Sequence, residues 1–184
     1  IIINNIYLNI FGLLILIMNN YTIQKINSNN CIKSYLKLLK QDFTIDIDNL
    51  NIDQFNYFIS NLHENHQIFI VMDNINNNNN NNSNTNINIT NDVSNNDENI
   101  IGSATILIET KIIHNFGKVA HIEDVIVDNN YRGKGLGKML INKCINYAKD
   151  HDCYKIILNC SDKNIPFYEK CGFSKKENEM ALYF

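Results

Sequence analysis

The sequence has no tryptophan, one proline (Pro166) and only seven glycines in 184 residues. It is therefore neither collagen-like nor proline-rich, and any cluster of its few glycines marks a place where the backbone needs them. Positive charge is not in excess either. Sixteen Lys and Arg stand against 19 Asp and Glu, a net charge of -3, which excludes a general nucleic-acid binder with a basic face. The five cysteines (31, 144, 153, 160, 171) are odd in number and contain no C-x-x-C pair, so neither a disulfide framework nor a zinc knuckle is expected. His63-Glu64-Asn65-His66 falls one residue short of H-E-x-x-H, and no metal is expected. Free thiols in this number suit a reducing compartment, and a cytoplasmic protein is the expectation.

Nor does an apolar run reach bilayer length. Ile6 to Met18, broken by Asn9, is about 13 residues long, against the roughly 20 that a membrane-spanning helix takes. It has no basic flank and no small-residue cleavage site. Two readings remain: an amino-terminal extension able to sit on an internal membrane, or translated sequence upstream of a start at Met18. A globular pattern that begins just after Met18 favours the second. Residues 1–18 are accordingly set apart from one domain over 19–184, a length sufficient for a single core.

What the chain has in abundance is asparagine, 36 of 184 residues. Much of it lies between Asn74 and Asn99, where few side chains could bury apolar area to offset ordering entropy. That stretch reads as a disordered loop inserted into a hairpin, a cheap insertion because closure entropy grows slowly with length. The N-x-[ST] triplets at Asn81, Asn88 and Asn159 arise by chance at this frequency and carry no meaning.

Around the insert, strands are expected at Tyr21 to Ile26, Gln67 to Met72, Ile100 to Thr110, His121 to Val127, Tyr154 to Leu158 and Glu179 to Phe184. Helical spacing covers Asn30 to Gln41 and a segment opened by Asn51. It also covers Leu136 to Lys149, with Leu136, Leu140, Ile141, Ile145 and Ala148 on one face, and Ile165 to Lys170. The order gives an α/β domain with one mixed sheet.

Three of the seven glycines fall within Arg132-Gly133-Lys134-Gly135-Leu136-Gly137-Lys138, entered from a strand and opening a helix. Glycine lets successive backbone N–H groups converge, and the helix start adds its dipole, so the segment is an anion cradle suited to phosphate. Arg132, Lys134 and Lys138 add charge. A Walker loop is excluded, because Arg132 replaces its first glycine and Met139 its hydroxyl residue. The dinucleotide fingerprint is excluded by the G-x-G-x-G spacing and the missing opening βαβ unit.

The pattern R-x-x-G-x-G resembles the pyrophosphate loop of the GNAT superfamily of N-acetyltransferases. The flanking segments narrow the likeness. His121-Ile122-Glu123-Asp124-Val125-Ile126-Val127, Cys153-Tyr154-Lys155-Ile156-Ile157-Leu158 and Asn164-Ile165-Pro166-Phe167-Tyr168-Glu169-Lys170-Cys171-Gly172-Phe173 resemble the glucosamine 6-phosphate N-acetyltransferases within it. So do Ala104 to Glu109 and Lys111-Ile112-Ile113-His114. The likeness is strong over about 100–180 and co-linear but weak over 21–73; residues 1–18 and the Asn-rich insert have no counterpart.

The resemblance implies a GNAT fold, with a central, mostly antiparallel twisted sheet flanked by helices and a carboxyl-terminal strand exchanged in a homodimer. It implies acetyl transfer from acetyl-CoA to the amine of glucosamine 6-phosphate, on the way to UDP-N-acetylglucosamine, with small molecules as the only other partners. A bulged strand splayed from its neighbour would take pantetheine along Val125, Ile126 and Val127. Pyrophosphate would lie on Arg132, Gly133, Lys134, Gly135, Leu136, Gly137 and Lys138, with Asn164, Tyr168, Glu169 and Lys170 as further cofactor contacts. Tyr168 would protonate the leaving thiolate; its alternative role is a core aromatic beside Phe167. Sugar contacts would be Lys111, Ile112, Ile113, His114, Glu123, Asp124, Val125, Tyr154, Lys155 and Glu177. Adjacent strand residues face opposite ways, so one of Glu123 and Asp124 could instead serve the backbone or the dimer, and His114 could be a surface histidine.

Two departures stand out. Asn159 occupies the place of an acidic residue that helps receive the amine proton, so its carbonyl is left to position the amine beside Asp124. The end, Met180-Ala181-Leu182-Tyr183-Phe184, lacks the usual basic residue. A transferase for another amine and an inactive coenzyme-A-binding relative are the alternatives, and like charge on Lys111 and Lys155 disfavours a polyamine acceptor.

Overall fold

The structure is a computed structural model and describes residues 20–27, 32–46, 50–74 and 99–183. Nearly all of the Asn-rich insert and the whole of the amino-terminal extension over 1–18 lie outside the described residues. Five strands form one sheet in the order β1 (Tyr21–Lys25), β2 (His66–Asp73), β3 (Ile100–Thr110), β4 (Lys118–Val127), β5 (Cys153–Leu158). Every neighbouring pair is antiparallel except β4 and β5, which are parallel. The mixed sheet expected from sequence is observed. The parallel pair requires a crossover, supplied by the long helix α3 (Leu136–Asp150).

Helices cover both faces. Against one, α3 packs Leu136, Leu140, Ile141 and Cys144 on Phe69, Val71, Ile101, Ile106, Ala120 and Ile122. Against the other, α1 (Ile32–Leu39) and α2 (Ile52–Ser60) pack Tyr35, Leu38 and Ile59 on Ile68, Ile70, Met72, Ile100 and Ile126. This explains why β2 reads Ile68-Phe69-Ile70-Val71-Met72 without alternation: both of its faces are buried. Each such side chain contributes about 1.5–3 kcal/mol of burial. Asn51 caps α2 as expected, its Oδ1 accepting from the Asp53 and Gln54 amides at 2.9 and 3.1 Å. β2 and β3 pair as a hairpin, and the Asp73 amide donates to the Asn99 carbonyl at 3.1 Å across the base of the insert.

The sequence reading needs one correction. The last strand, expected over Glu179 to Phe184, is not formed: residues 173–183 are irregular, and Met180, Leu182 and Tyr183 are 96%, 78% and 91% exposed. Phe184 lies outside the described residues. The physical reason is that β5 is the edge of the sheet and this segment pairs with no strand of its own chain. Strand exchange in a dimer is thus an expectation, not a feature of the single chain. Among the described residues, no helix is long and apolar enough to cross a membrane, and no group of His, Cys, Asp and Glu is arranged to hold a metal ion.

Candidate active site

The site begins with a fault in β4. Thr105 of β3 pairs with Glu123, but Ser103 pairs with Ile126, so Ala104 alone faces both Asp124 and Val125. This is a β-bulge. Asp124 takes the strain, with φ of 51°, a left-handed conformation that Asp tolerates better than most side chains. Pairing of β4 with β5 ends at Ile122 and Leu158, so the β4 edge over residues 123–127 has no β5 partner. A gap opens there, one wall of it strand backbone that β5 does not pair, with the Val127 carbonyl taken by Arg132.

The glycine loop closes the far end of that gap. A short 3-10 turn (Asn129–Tyr131) follows β4, and Gly133 and Gly135 then adopt φ of 80° and 84°. A Cβ at either glycine would meet nothing within 4 Å, so open space lies above both. α3 starts at Leu136, and the N–H groups of its first turn lack helical acceptors. Lys134 lies 4.3 Å from the Tyr131 ring, and Arg132 donates through Nε to the Val127 carbonyl at 3.0 Å. The loop fits a diphosphate. Leu136 and Ile126 are 1% and 2% exposed core side chains, so only their backbone can meet a ligand.

The opposite wall carries Tyr168, on the short helix α4 (Ile165–Glu169). Its ring is 9% exposed and packs edge-on to Phe167 and Phe173, with centroids at 4.9 and 6.1 Å. Burial first, then the charges of Cys160, Cys171 and Glu123, push its hydroxyl up to about 12, so it stays a protonated donor. No described residue hydrogen-bonds that hydroxyl. Burial, and then Asp124, lift the Glu123 carboxyl above its ordinary range, with His121 working against them. Asn159 follows the last residue of β5, and Asn164, Glu169 and Lys170 lie exposed around α4.

A second group of expected residues sits elsewhere. His114, Asn115 and Phe116 all have positive φ, 55–61°, and fold the β3–β4 connection onto Tyr154, whose ring is 4.5 Å from that of His114. Gly117 is required there, since a Cβ would come within 2.9 Å of Tyr154. Lys111 pairs with Glu109 at 2.5 Å, His121 reaches the same carboxylate at 3.3 Å, and Lys155 lies 5.9 Å from the Tyr154 ring. This group lies at the start of β4 and β5, where Lys118 pairs with Cys153. Five residues of β4 separate it from Glu123, roughly 17 Å at strand rise. His114 and Tyr154 thus sit together at that end of the sheet, whereas Lys111 shares the Glu109 carboxylate with His121, two residues before Glu123. Glu177 is exposed on the irregular terminal segment.

Residues 48–173 match the family model described as Acetyltransferase (GNAT) family. The chain belongs to that family. Over 85 residues it is 47% identical to glucosamine 6-phosphate N-acetyltransferase of Arabidopsis thaliana, covering 46% of this chain and 57% of the other. Over 86 residues it is 50% identical to glucosamine 6-phosphate N-acetyltransferase 1 of Dictyostelium discoideum, covering 46% and 54%. The chain thus spans about half the length of the curated relatives it matches. The crystal structure of the Arabidopsis thaliana enzyme superposes with a TM-score of 0.73 at 29% identity, covering 89% of this chain and 98% of that one.

Within this GNAT domain, several contributors escaped the sequence reading. Burial raises the Tyr35 hydroxyl of α1 and lowers His66 of β2, and the charge of Asp124 acts on both to a lesser degree, so the α1 side of the sheet lies near the bulge. Just past α1, Gln41 touches the turn before the glycine loop and Asp42 touches the loop's first residue: Gln41 Nε2 donates to Asp128 Oδ2 at 2.6 Å, and Arg132 Nη2 donates to Asp42 Oδ2 at 2.5 Å. Nothing in a polar Gln-Asp pair after a helix signals such a contact, because it joins positions 87 and 90 residues apart.

Proposed function

We propose that the protein transfers the acetyl group of acetyl-CoA to the amine of glucosamine 6-phosphate, releasing CoA and N-acetylglucosamine 6-phosphate, a step toward UDP-N-acetylglucosamine. The observation that carries the reading is the bulge at Asp124, which leaves an unpaired β4 edge between a diphosphate loop and an unpartnered phenol. The activity for which the similar enzymes of Arabidopsis thaliana and Dictyostelium discoideum are named supports the choice of acceptor.

In this reading the backbone of Val125 to Val127 pairs with the pantetheine arm, and the loop over Arg132 to Lys138 takes the diphosphate. Asn164, Glu169 and Lys170 flank the same arm from the α4 side. Glu123 and Asp124 accept hydrogen bonds from sugar hydroxyls and the amine, and the Asn159 carbonyl orients the amine toward the thioester. The neutral amine attacks the carbonyl carbon; the C–S bond then breaks, and Tyr168 gives its proton to the departing thiolate while the amine passes one of its own to water, from which the phenolate is reprotonated before the next turnover. A backbone N–H of the bulged strand faces the oxyanion that forms between these steps.

Lys111, Ile112, Ile113, His114, Tyr154, Lys155 and Glu177 complete the sugar phosphate site from a second copy of the chain. That arrangement is supported by the exposed apolar surface of the β3–β4 connection, where Ile112, Ile113 and Phe116 are 85%, 63% and 70% exposed. The test is thiol release from acetyl-CoA with glucosamine 6-phosphate, glucosamine and spermine in parallel, together with sedimentation of the protein. Turnover confined to the sugar phosphate supports the reading. Binding of acetyl-CoA without turnover on any amine would overturn it and leave the inactive relative that Asn159 suggests.

A further inference from the structure

The glycine loop is held from outside the cleft by the end of α1. Gln41 grips the turn before the loop in both directions: its Nε2 donates to Asp128 Oδ2 at 2.6 Å, and its Oε1 accepts from the Asn129 amide at 3.0 Å. Asp128 in turn caps the turn through Oδ1 to the Asn130 amide at 2.8 Å, and its carbonyl accepts from the Tyr131 amide at 2.8 Å. One residue further, Asp42 holds Arg132, the first residue of the loop, which is also pinned to the Val127 carbonyl. Both ends of segment 128–132 are thus tied to the connection between α1 and α2.

Only a primary amide of this length can do what Gln41 does. A glutamate cannot donate to Asp128 and would face it with like charge; an asparagine is one methylene short. Gly133 and Gly135 add no side chains to stiffen the loop beyond, so its shape depends on how firmly segment 128–132 is fixed.

We propose that Gln41, assisted by Asp42, is a positioning residue that keeps the diphosphate loop in its binding shape and so sets affinity for the acyl-CoA substrate. The proposal rests on the reading of the loop as the acyl-CoA site. If the clasp is lost, the binding-competent loop is only fractionally populated, and apparent affinity falls by that fraction. Two net hydrogen bonds at the weak end of the ordinary range correspond to a loss of about tenfold.

The test compares Gln41→Met, which keeps the aliphatic stem and loses both bonds, and Gln41→Glu with the wild-type protein. The readouts are CoA binding by calorimetry, steady-state kinetics in both substrates, and thermal melting without ligand to establish folding. The expected result is a rise of about tenfold in Kd for CoA and in KM for acetyl-CoA, with kcat and the sugar KM within twofold of wild type, in both variants. Unchanged CoA affinity in a folded Gln41→Met variant would overturn the proposal. So would a parallel loss in kcat and both KM values, which is the mark of general structural damage. Failure of the wild-type protein itself to bind CoA would overturn the acyl-CoA reading and this inference with it.

Discussion

Replacing Tyr168 with phenylalanine separates chemistry from packing at this site. The ring contacts with Phe167 and Phe173 survive the change, because they involve only the aromatic carbons. The hydroxyl that is lost has no partner among the described residues, so its removal leaves no orphaned group among them, and folding stability should move by less than about 1 kcal/mol. Activity should move far more. A positioned general acid is worth roughly 10²–10⁴ in rate, and a phenol held near 12 is a reluctant donor, which points to the lower end. The expected loss is about a hundredfold in kcat, close to 2.7 kcal/mol of transition-state stabilisation, with acetyl-CoA binding unchanged. Stopped thiol-release assays at saturating substrate, paired with thermal melts, give both quantities from one preparation. A kcat within threefold of wild type, at equal melting temperature, would refute the assignment: Tyr168 would then be only a wall of the cleft.

Three further outcomes are expected. Gly135→Ala meets no steric neighbour but places a Cβ at φ of 84°; it should cost about 1–2 kcal/mol of stability, read by urea unfolding, and weaken CoA binding in parallel. Asn159→Glu restores a proton-accepting side chain beside the amine and should raise kcat several-fold, most visibly below neutral pH, in a pH–rate profile; an unchanged profile would show that the carbonyl alone suffices. Cys144, fully buried in α3, has its thiol pushed by burial from an ordinary value of 9.0 to about 12. Between those values the folded state keeps a proton that the unfolded state has lost, so unfolding free energy must fall as pH rises from about 9 toward 12. Cys144→Ala should be about 1 kcal/mol less stable at pH 7, yet lose less stability than wild type over that alkaline range in denaturant titrations.

The parts of this molecule that sequence made legible are those set by local chemistry. β2 declared itself as an unbroken apolar run, Asn51 as a cap, and the glycine loop by three glycines in a chain that has few. What stayed hidden depends on register. Glu123-Asp124-Val125 looks like ordinary strand; only pairing with β3 reveals that one residue is extra, and the bulge was expected from family likeness alone. The turn over His114 to Phe116 puts three consecutive non-glycine residues at positive φ, which no local preference predicts, and which contact with Tyr154 accompanies. The terminal strand failed for the opposite reason: its β-prone residues are present, but the single chain offers them no partner. Gln41 could not be found because its role is defined by residues far along the chain.

The bulge also changes the phase of β4. Before it, the even-numbered Ala120 and Ile122 face α3; after it, the odd-numbered Val125 and Val127 do, while Ile126 turns to α1 and α2. One inserted residue therefore acts as a half-turn in the strand's inside–outside alternation. Deleting Asp124 would leave a strand that is perfectly regular on paper. Its two halves would keep their faces; straightening the strand with Asp124 retained is what would turn its end, and the loop that follows, the wrong way, exchanging Ile126 for Val125 and Val127 in cores shaped for the reverse. The bulge is what lets the strand carry this extra residue and still bury both of its halves on the correct sides.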